Sequence, residues 1–361
     1  MNNVIDFSGE KYLKQLAKSL TGIRLDNKIT LMEVCGTHTM AIHRSGIPDL
    51  LPENLKLLSG PGCPVCVTPA SYLDSSVAMA KEHGVTLMTF GDLLRVPGSD
   101  TTLAELRSEG YPVEIVYGPQ NALEYAVGNP SEEVVFLAVG FETTIPTVAA
   151  IVRQAKEQNV QNFSVFCSHK FVVPALKLLA DDPELSIEGF ILPGHVSIVL
   201  GCEPYRFMAE NYGRACVVTG FEPADIIQGI LMLLDQIKQH EYKIEIQYKR
   251  AVRFKGNLRA RQMIDTVFSQ ADAEWRGFGF IPESGAQLRE EYRTFDAATR
   301  FPVDVASSPE PEGCICGEIL KGYSSPDNCI LFGSACVPGH PVGPCMVSSE
   351  GTCAAHFQFS R

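Results

Sequence analysis

Short apolar runs of strand length alternate with segments of helical pattern through the first 250 residues of the chain. The predicted strands are Ile29–Cys35, Leu55–Ser59, Val85–Phe90, Val113–Tyr117, Val134–Val139, Phe163–Cys167, Phe190–Leu192, Cys216–Thr219 and Ile244–Tyr248. The predicted helices between them include Pro69–His83, Thr144–Gln158, Val173–Ala180 and Ala224–Gln239. Strands regularly separated by helices indicate βαβ units, and hence an α/β fold built on parallel sheets.

An internal repeat divides this α/β region into two similar parts. Cys35–His38 is matched by Cys167–His169, and further short matches continue at an offset of 132 or 131 residues. We therefore expect two Rossmann-like lobes, residues 30–133 and 134–248, facing each other across a cleft. Chance similarity between short apolar strands is the alternative.

The pattern changes after residue 248, to a polar helical stretch around 257–270, a Gly-rich strand-like run at 275–281 and a cysteine-rich tail. Residues 309–353 contain 7 Gly and 6 Pro, a loop composition that cannot bury a core of its own. We expect residues 1–29 and 249–361 to form a third, helical and Cys-rich domain, whose tail is held by something other than apolar packing.

Length and charge exclude several classes of protein. The 361 residues suffice for two or three domains, and the net charge of -12 gives no electrostatic reason to expect nucleic acid or anionic lipid as a partner. The N-terminus meets charged residues before an apolar signal region can form, and no continuous apolar stretch reaches the ~18 residues that cross a bilayer. The sequence therefore predicts a cytoplasmic protein.

Cysteine is unusually frequent for a reducing compartment, with 12 residues, six of them in the last 48 positions. These six are Cys314, Cys316, Cys329, Cys336, Cys345 and Cys353, with 1, 12, 6, 8 and 7 residues between neighbours. Structural zinc usually takes paired C-x₂₋₄-C hooks, which this tail lacks, whereas iron-sulfur clusters tolerate irregular spacing on loops. The tail favours a cluster; zinc and metal-free thiols remain the alternatives. A cluster needs four ligands, so two cysteines are left for another role.

The segment Gly60–Cys66 follows a predicted strand and contains a C-x-x-C pair, Cys63 and Cys66. We expect Thr68 to cap the following helix, whose N-terminal partial charge favours a thiolate. Such a pair suits a redox dithiol or soft-metal ligands, and two buried cysteines in a tight turn are the alternative.

Two further groups of polar residues follow predicted strands, where ligands bind in open α/β sheets. Cys35 and His38 supply a thiolate and a base or second ligand, although a structural histidine is an equal alternative for His38. Glu142 could relay protons, or serve only as a favourable charge near a helix N-terminus.

Core roles are the simpler interpretation of several other residues: Cys167, His169 and His195 as core or capping groups, and Cys202 and Cys216 as core. Residues 249–261 contain six cations and no acid. A solvated helix face explains this run, and contact with an anion or an acidic partner is the alternative.

Seven motifs, in order along nearly the whole chain, resemble the HypD family of [NiFe]-hydrogenase maturation (metallocenter assembly) factors. They are Cys35-Gly-Thr-His-Thr39, Gly60-Pro-Gly-Cys-Pro-Val-Cys66, Gly140-Phe-Glu-Thr-Thr144, Trp275-Arg-Gly-Phe-Gly279, Ile281-Pro-Glu-Ser-Gly285, Cys316-Gly-Glu-Ile-Leu320 and Gly343-Pro-Cys-Met-Val-Ser-Ser-Glu-Gly351. The resemblance implies a scaffold that holds iron with a small HypC-type partner while cyanide and carbonyl ligands are added, before transfer to the hydrogenase precursor. It also implies a HypE-type cyanide donor and a C-terminal [4Fe-4S] cluster.

The resemblance also implies roles for individual residues. Cys35 is the expected iron ligand, with His38 beside it and the Cys63–Cys66 dithiol facing it. The expected cluster ligands, here called the cluster set, are Cys316, Cys329, Cys336 and Cys353. Cys314 and Cys345, here called the spare pair, are expected to be the remaining thiols and a possible second dithiol.

Thiolates suit low-spin ferrous iron with cyanide and carbonyl ligands, and a cluster near a dithiol could supply it with electrons. A cluster near a dithiol resembles ferredoxin:thioredoxin reductase, so a disulfide reductase is the alternative function. A zinc-stapled interaction protein is the third. On the first interpretation, the protein is a redox-active assembly scaffold rather than a conventional enzyme.

Overall fold

A computed structural model describes residues 9–305 and 310–359. Its strands are β1 (Ile29–Glu33), β2 (Leu55–Ser59), β3 (Thr86–Thr89), β4 (Val113–Ile115), β5 (Val134–Gly140), β6 (Phe163–His169), β7 (Gly189–Leu192), β8 (Ala215–Val218), β9 (Ile244–Ile246), β10 (Phe268–Trp275) and β11 (Gly279–Leu288). Its helices are α1 (Glu10–Thr21), α2 (Gly36–Arg44), α3 (Ala70–His83), α4 (Leu103–Ser108), α5 (Pro119–Gly128), α6 (Ile145–Glu157), α7 (Val172–Asp181), α8 (Gly194–Leu200), α9 (Arg206–Glu210), α10 (Pro223–Gln239), α11 (Leu258–Val267), α12 (Ala297–Arg300), α13 (Cys316–Lys321) and α14 (Thr352–Phe359).

Two parallel sheets carry the α/β part of the molecule. The first sheet has the strand order β2-β1-β7-β8-β9, and the second has the order β4-β3-β5-β6. Both faces of each sheet are covered: alternate residues of β5 contribute to two different apolar cores, Val134 and Phe136 to one and Val135 and Leu137 to the other. Burial on both faces is typical of parallel sheets and explains the continuous apolar runs in the sequence.

The strands are divided between the sheets differently from the division that the internal repeat predicts. Residues 30–133 do not form one sheet, because β1 and β2 pair into the first sheet whereas β3 and β4 pair into the second. β1 is adjacent to β7, from the other predicted lobe. Short apolar strands fit equally well beside any parallel neighbour, so sequence similarity between two strands does not determine which sheet contains them.

The N-terminal helix packs on the first sheet rather than on the tail. Leu16 and Leu20 of α1 share an apolar core with Leu31 of β1 and Ile226 of α10. Residues 1–8 of the predicted third domain lie outside the described residues, as do 306–309 and 360–361. The grouping of 1–29 with 249–361 stays a prediction.

Residues 249–305 contribute α11, which packs on α6, and a hairpin of β10 and β11. The predicted strand-like run at 275–281 is wrong in its centre, because Trp275 pairs with Gly279 across the hairpin turn. Gly277 and Gly279 have φ values of +81° and +75°, which only glycine adopts without strain. The glycines therefore mark a turn between two strands rather than one strand.

The cysteine-rich tail covers one face of the first sheet. Ile319 and Leu320 of α13 share an apolar core with Met32 of β1 and Phe190 of β7. The tail therefore does obtain part of its order from apolar packing, by completing the core of the sheet instead of forming its own. None of the helices in residues 9–305 and 310–359 is long and apolar enough to cross a membrane.

Candidate functional site

The pairing of β1 with β2 brings Cys35 and the Gly60–Cys66 turn together. Both segments follow the carboxyl ends of adjacent parallel strands, and the Gly36 N–H donates to the Gly62 carbonyl at 3.0 Å. A Cβ on Gly62 would overlap the backbone of Cys35. Glycine is thus required at position 62 for close approach of the two chain segments.

Cys35 is a buried thiol at the N-cap position of α2. Burial is the main cause that raises the pKa of this thiol to about 12, and the nearby carboxyl groups of Glu33 and Glu350 raise it further. Hydrogen bonds from the backbone N–H groups of Thr37 and His38 partly offset these effects. The thiol is therefore protonated near neutral pH, and a metal ion that binds it must displace the proton.

Two carboxyl groups next to Cys35 were not among the residues predicted for the site. Glu33 is fully buried and accepts a hydrogen bond from the Cys35 N–H at 2.9 Å and another from the Thr39 hydroxyl. Burial raises the pKa of Glu33 to about 7. Glu350, from the tail, accepts a hydrogen bond from the Thr37 hydroxyl at 2.6 Å. The tail therefore contacts the first turn of α2, whose N-cap residue is Cys35.

His38 of α2 is fully buried as a neutral imidazole. Its Nε2 is 3.0 Å from the Gly220 carbonyl and 2.9 Å from the Thr219 hydroxyl, whereas its Nδ1 has no hydrogen-bond partner among the described residues. Burial lowers the pKa of His38 to about 4. The Phe221 ring stacks on both His38 and His195, with centroid distances of 4.6 and 4.0 Å. His195 is exposed and stacks on Phe221, so the core role predicted for it is wrong.

Cys63 and Cys66 form a disulfide, with their Cα atoms 5.2 Å apart. Both residues are buried, at 2% and 1% exposure. The predicted cap is wrong: α3 begins at Ala70 without a side-chain cap, because the Thr68 hydroxyl donates to the Pro64 carbonyl at 2.9 Å instead. The pair is thus isolated from bulk solvent, and the helix that follows it lacks the side-chain cap that the sequence predicts.

The tail also reaches this disulfide. Cys66 Sγ lies 3.9 Å from the carbonyl oxygen of Pro344, the residue before Cys345. The buried edge of the first sheet thus brings together Cys35, the disulfide and residues 344–350 of the tail.

Glu142 follows β5 in the second sheet and is buried. Its Oε1 accepts a hydrogen bond from the Val172 N–H at 3.0 Å, and its Oε2 has no partner in the part of the chain that the structure describes. Burial raises the pKa of Glu142 to about 7. The residue lines a cavity of about 370 Å³ together with Arg261 and Arg289. A role in proton transfer stays a prediction.

The spare pair lies beside Cys316 in the folded tail. Cys314 Sγ is 3.4 Å from Cys316 Sγ, and a hydrogen bond with Cys316 is the main cause that raises the pKa of the Cys345 thiol. A Cβ on Gly343 would lie 2.7 Å from the Sγ atoms of both Cys314 and Cys316, so glycine lets the backbone approach these sulfurs. The spare pair is therefore not separated in space from the expected cluster ligands.

The rest of the cluster set surrounds the same region. Cys336 Sγ accepts a hydrogen bond from the Val342 N–H at 3.3 Å. Cys316 lies close enough to raise the pKa of the Cys336 thiol. Cys353 lies close enough to Cys345 to raise the pKa of the Cys345 thiol. Cys329 Sγ is 3.7 Å from the Gly313 carbonyl oxygen. Hydrogen bonds to the sulfurs are among the features that set the properties of an iron-sulfur cluster, and a cluster on these cysteines stays a prediction. Within 9–305 and 310–359, no group of three or more His, Cys, Asp or Glu side chains is arranged so that it could hold a metal ion.

The remaining sequence candidates lie elsewhere. Cys202 and Cys216 are fully buried, which confirms their predicted core role. Within residues 249–261, Arg250 pairs with Asp225. Cys167 is partly buried, packs against an apolar core and lines a cavity with His169, so its core or capping role stays a prediction.

Comparisons with known proteins identify the family of this chain. Residues 10–360 match the family model described as "HypD: Hydrogenase formation hypA family". The chain belongs to the HypD family. It is 44% identical over 338 residues to hydrogenase maturation factor HypD2 of Bradyrhizobium diazoefficiens, covering 91% of this chain and 89% of the relative. It is 45% identical to HypD of Azotobacter vinelandii, covering 92% and 89%, and 44% identical to HypD of Escherichia coli, covering 97% and 94%. The HypD resemblance is confirmed, and with it a role in hydrogenase maturation.

Proposed function

We propose that this HypD protein is the scaffold on which the Fe(CN)₂(CO) group of [NiFe]-hydrogenase is assembled. Iron is the cargo, Cys35 is its ligand from this chain, and a HypC-type partner supplies further ligation. A HypE-type protein donates the cyanide. The observation that carries the proposal is the convergence of Cys35, the Cys63–Cys66 disulfide and the tail at one buried edge of the first sheet.

The environment of Cys35 suits temporary iron binding. Its thiol has a pKa of about 12, so the free site holds a proton that ferrous iron displaces and that returns when iron leaves. The thiolate is a soft, strongly donating ligand, as an iron atom with cyanide and carbonyl ligands requires. Glu33 accepts a hydrogen bond from the Cys35 backbone N–H, which fixes the position of the backbone that carries the thiol.

A [4Fe-4S] cluster on the cluster set would supply electrons to this edge of the sheet. The contact between Cys66 and Pro344 places the disulfide beside the tail residue that precedes Cys345. Reduction of the disulfide takes two electrons and two protons and yields two thiols next to Cys35. Those thiols would then be available as further ligands for iron.

A disulfide reductase is the second candidate, because the disulfide does lie beside the cysteine-rich tail. Burial argues against it, since Cys63 and Cys66 are 2% and 1% exposed. Thiol–disulfide exchange with a substrate protein needs an accessible sulfur. The scaffold proposal does not require a partner protein to contact these two sulfurs.

Iron stoichiometry tests the proposal. The anaerobically isolated complex with a HypC-type partner should hold one iron per chain beyond the iron of the cluster. The Cys35→Ser variant should lose that iron and keep its inorganic sulfide. Cys216→Ala, a buried cysteine of β8 outside the site, is the matched control and should retain both. Equal iron content in wild type and Cys35→Ser would contradict the proposed ligand.

A further inference from the structure

A basic surface lies at the carboxyl edge of the first sheet, and the chemistry proposed for Cys35 does not use it. Its cations come from the segment that follows β9 and from the start of α9. Five exposed cations form this surface, here called the basic patch: Arg206, Lys249, Arg253, Lys255 and Arg259. None of the five forms an ion pair with any residue in the described part of the chain. Their neighbour Arg250 differs, because it pairs with Asp225.

The segment that carries most of the basic patch is fixed to the rest of the fold. Val252 is 2% exposed and belongs to the apolar core of the first sheet. The Cys202 N–H donates to the Phe254 carbonyl at 2.8 Å. The Asn257 N–H donates to the Val199 carbonyl at 2.9 Å. The backbone that presents the cations is therefore preorganised, which lowers the entropy cost of binding a partner.

Stability does not explain the charges of this segment. Residues 247–257 lie outside helices and strands, so a solvated helix face cannot account for the cations before α11. Arg259 is the second residue of α11, where the helix dipole favours acids and disfavours cations. The first turn of α11 contains no acid that would offset this charge. Local structure thus opposes a cation at this position, and such departures are expected at functional sites.

Two apolar side chains are exposed within the basic patch. Phe254 is 40% exposed, and the Arg206 guanidinium lies over its ring, 5.4 Å from the ring centroid. Leu258 is 62% exposed. Aromatic side chains and arginine are enriched where proteins bind each other. The net charge of -12 repels a nucleic-acid backbone as a whole. The patch therefore favours an acidic protein surface over nucleic acid.

Aromatic contacts connect the basic patch to the Cys35 site. Phe221 stacks on His38 of α2 and contacts the Tyr248 ring edge-on, with a centroid distance of 5.8 Å. Tyr248 directly precedes Lys249 of the patch. A protein bound to the patch would therefore lie at the same sheet edge as Cys35, the N-cap residue of α2.

We propose that the basic patch, together with Phe254 and Leu258, is the docking surface for an acidic, partly apolar face of the protein that shares iron with Cys35. The inference rests on the proposed function, because that function requires the partner to reach Cys35. Attraction between opposite charges speeds the encounter and orients the partner. The apolar contacts lengthen the lifetime of the complex.

The test is binding of the purified HypC-type protein from the same organism to the full-length, anaerobically isolated chain. For the wild type, the association rate should fall about tenfold as the salt concentration rises from about 50 to about 500 mM. A variant that combines Arg253→Gln, Lys255→Gln and Arg259→Gln should bind about tenfold more weakly at low salt, through slower association. Its association rate should also depend less on salt.

The matched control combines Arg24→Gln, Lys28→Gln and Lys177→Gln. These three residues are exposed, form no ion pair in the described part of the chain and lie outside the basic patch. The control loses the same charge and should bind as the wild type does. Both triple variants are expected to fold, because only exposed side chains change. Leu258→Ala gives a second test, and it should shorten the lifetime of the complex with little effect on the association rate.

Four results would each overturn the docking surface. They are no binding by the wild type, association that does not depend on salt, equal weakening by the two triple variants, and tighter binding of a single-stranded RNA than of the partner. Iron analysis separates this inference from the proposed function. A wild-type chain that binds its partner through the patch but holds no iron at Cys35 would contradict the proposed function and leave the docking surface intact.

Discussion

Replacing Glu142 with glutamine should change how the stability of the protein depends on pH. Burial raises the pKa of Glu142 from 4.5 to about 7, so the folded protein holds a proton between these values that the unfolded chain releases. Unfolding is therefore favoured as pH rises through this window, by 1.36 kcal/mol per unit for each such group. The shift corresponds to about 3 kcal/mol of stability that is present at pH 4.5 and lost by pH 7.

Glutamine is a close match for the protonated acid at this position. Its carbonyl can accept from the Val172 N–H, and its amide replaces the Oε2 that has no partner among the described residues. Relative to the wild type, Glu142→Gln should therefore gain about 3 kcal/mol in unfolding free energy between pH 4.5 and 7. Buried histidines such as His38 impose slopes of opposite sign, which cancel in this difference because both proteins contain them.

Denaturant unfolding from pH 4.5 to 8 gives the measurement, with fluorescence of the buried Trp275, the only tryptophan, as the signal. Glu157→Gln, at the exposed end of α6, is the control, and loss of its surface ion pair with Arg153 should change stability by no more than about 1 kcal/mol. A difference between wild type and Glu142→Gln that does not vary with pH would refute the reasoning.

Two further predictions concern the cysteines. Alanine at any one residue of the cluster set should cost both the cluster and the ordered tail, measured by iron and sulfide analysis and by proteolysis; about one zinc per chain with no iron or sulfide would instead identify a zinc protein. Cys63→Ser and Cys66→Ser should each fold, keep the tail cluster and fail to support hydrogenase maturation in a complementation assay. If both variants mature hydrogenase at the wild-type rate, the disulfide is structural, since a buried thiol behaves as a small apolar group.

The positions of the helices and strands were predictable because they depend on local sequence pattern. The run Val134–Val139 becomes β5, which ends one residue later, and Thr144–Gln158 becomes α6, one residue shorter at each end. The partition of strands between sheets was not predictable in this way. β1 and β6, matched by the repeat, lie in different sheets, and β1 pairs with β7 through tertiary packing that no short segment encodes.

The candidate site was likewise predictable only in part. The motifs identified Cys35 and the Cys63–Cys66 pair, and adjacency of β1 and β2 brings them together. Glu33 could have been found, since an acid inside the apolar strand before Cys35 is unusual. Glu350 stood in a recognised motif, but its contact with Thr37 spans 313 residues and depends on how the tail docks.

An infrared spectrum of the anaerobically isolated complex with a HypC-type partner tests the scaffold proposal most directly. The wild-type complex should show cyanide and carbonyl stretching bands from iron held at Cys35, in a region free of protein bands. Cys35→Ala should keep the fold and the brown colour of a tail cluster while losing these bands. Bands at full intensity in Cys35→Ala, or a wild-type complex that matures hydrogenase without ever showing them, would contradict the account.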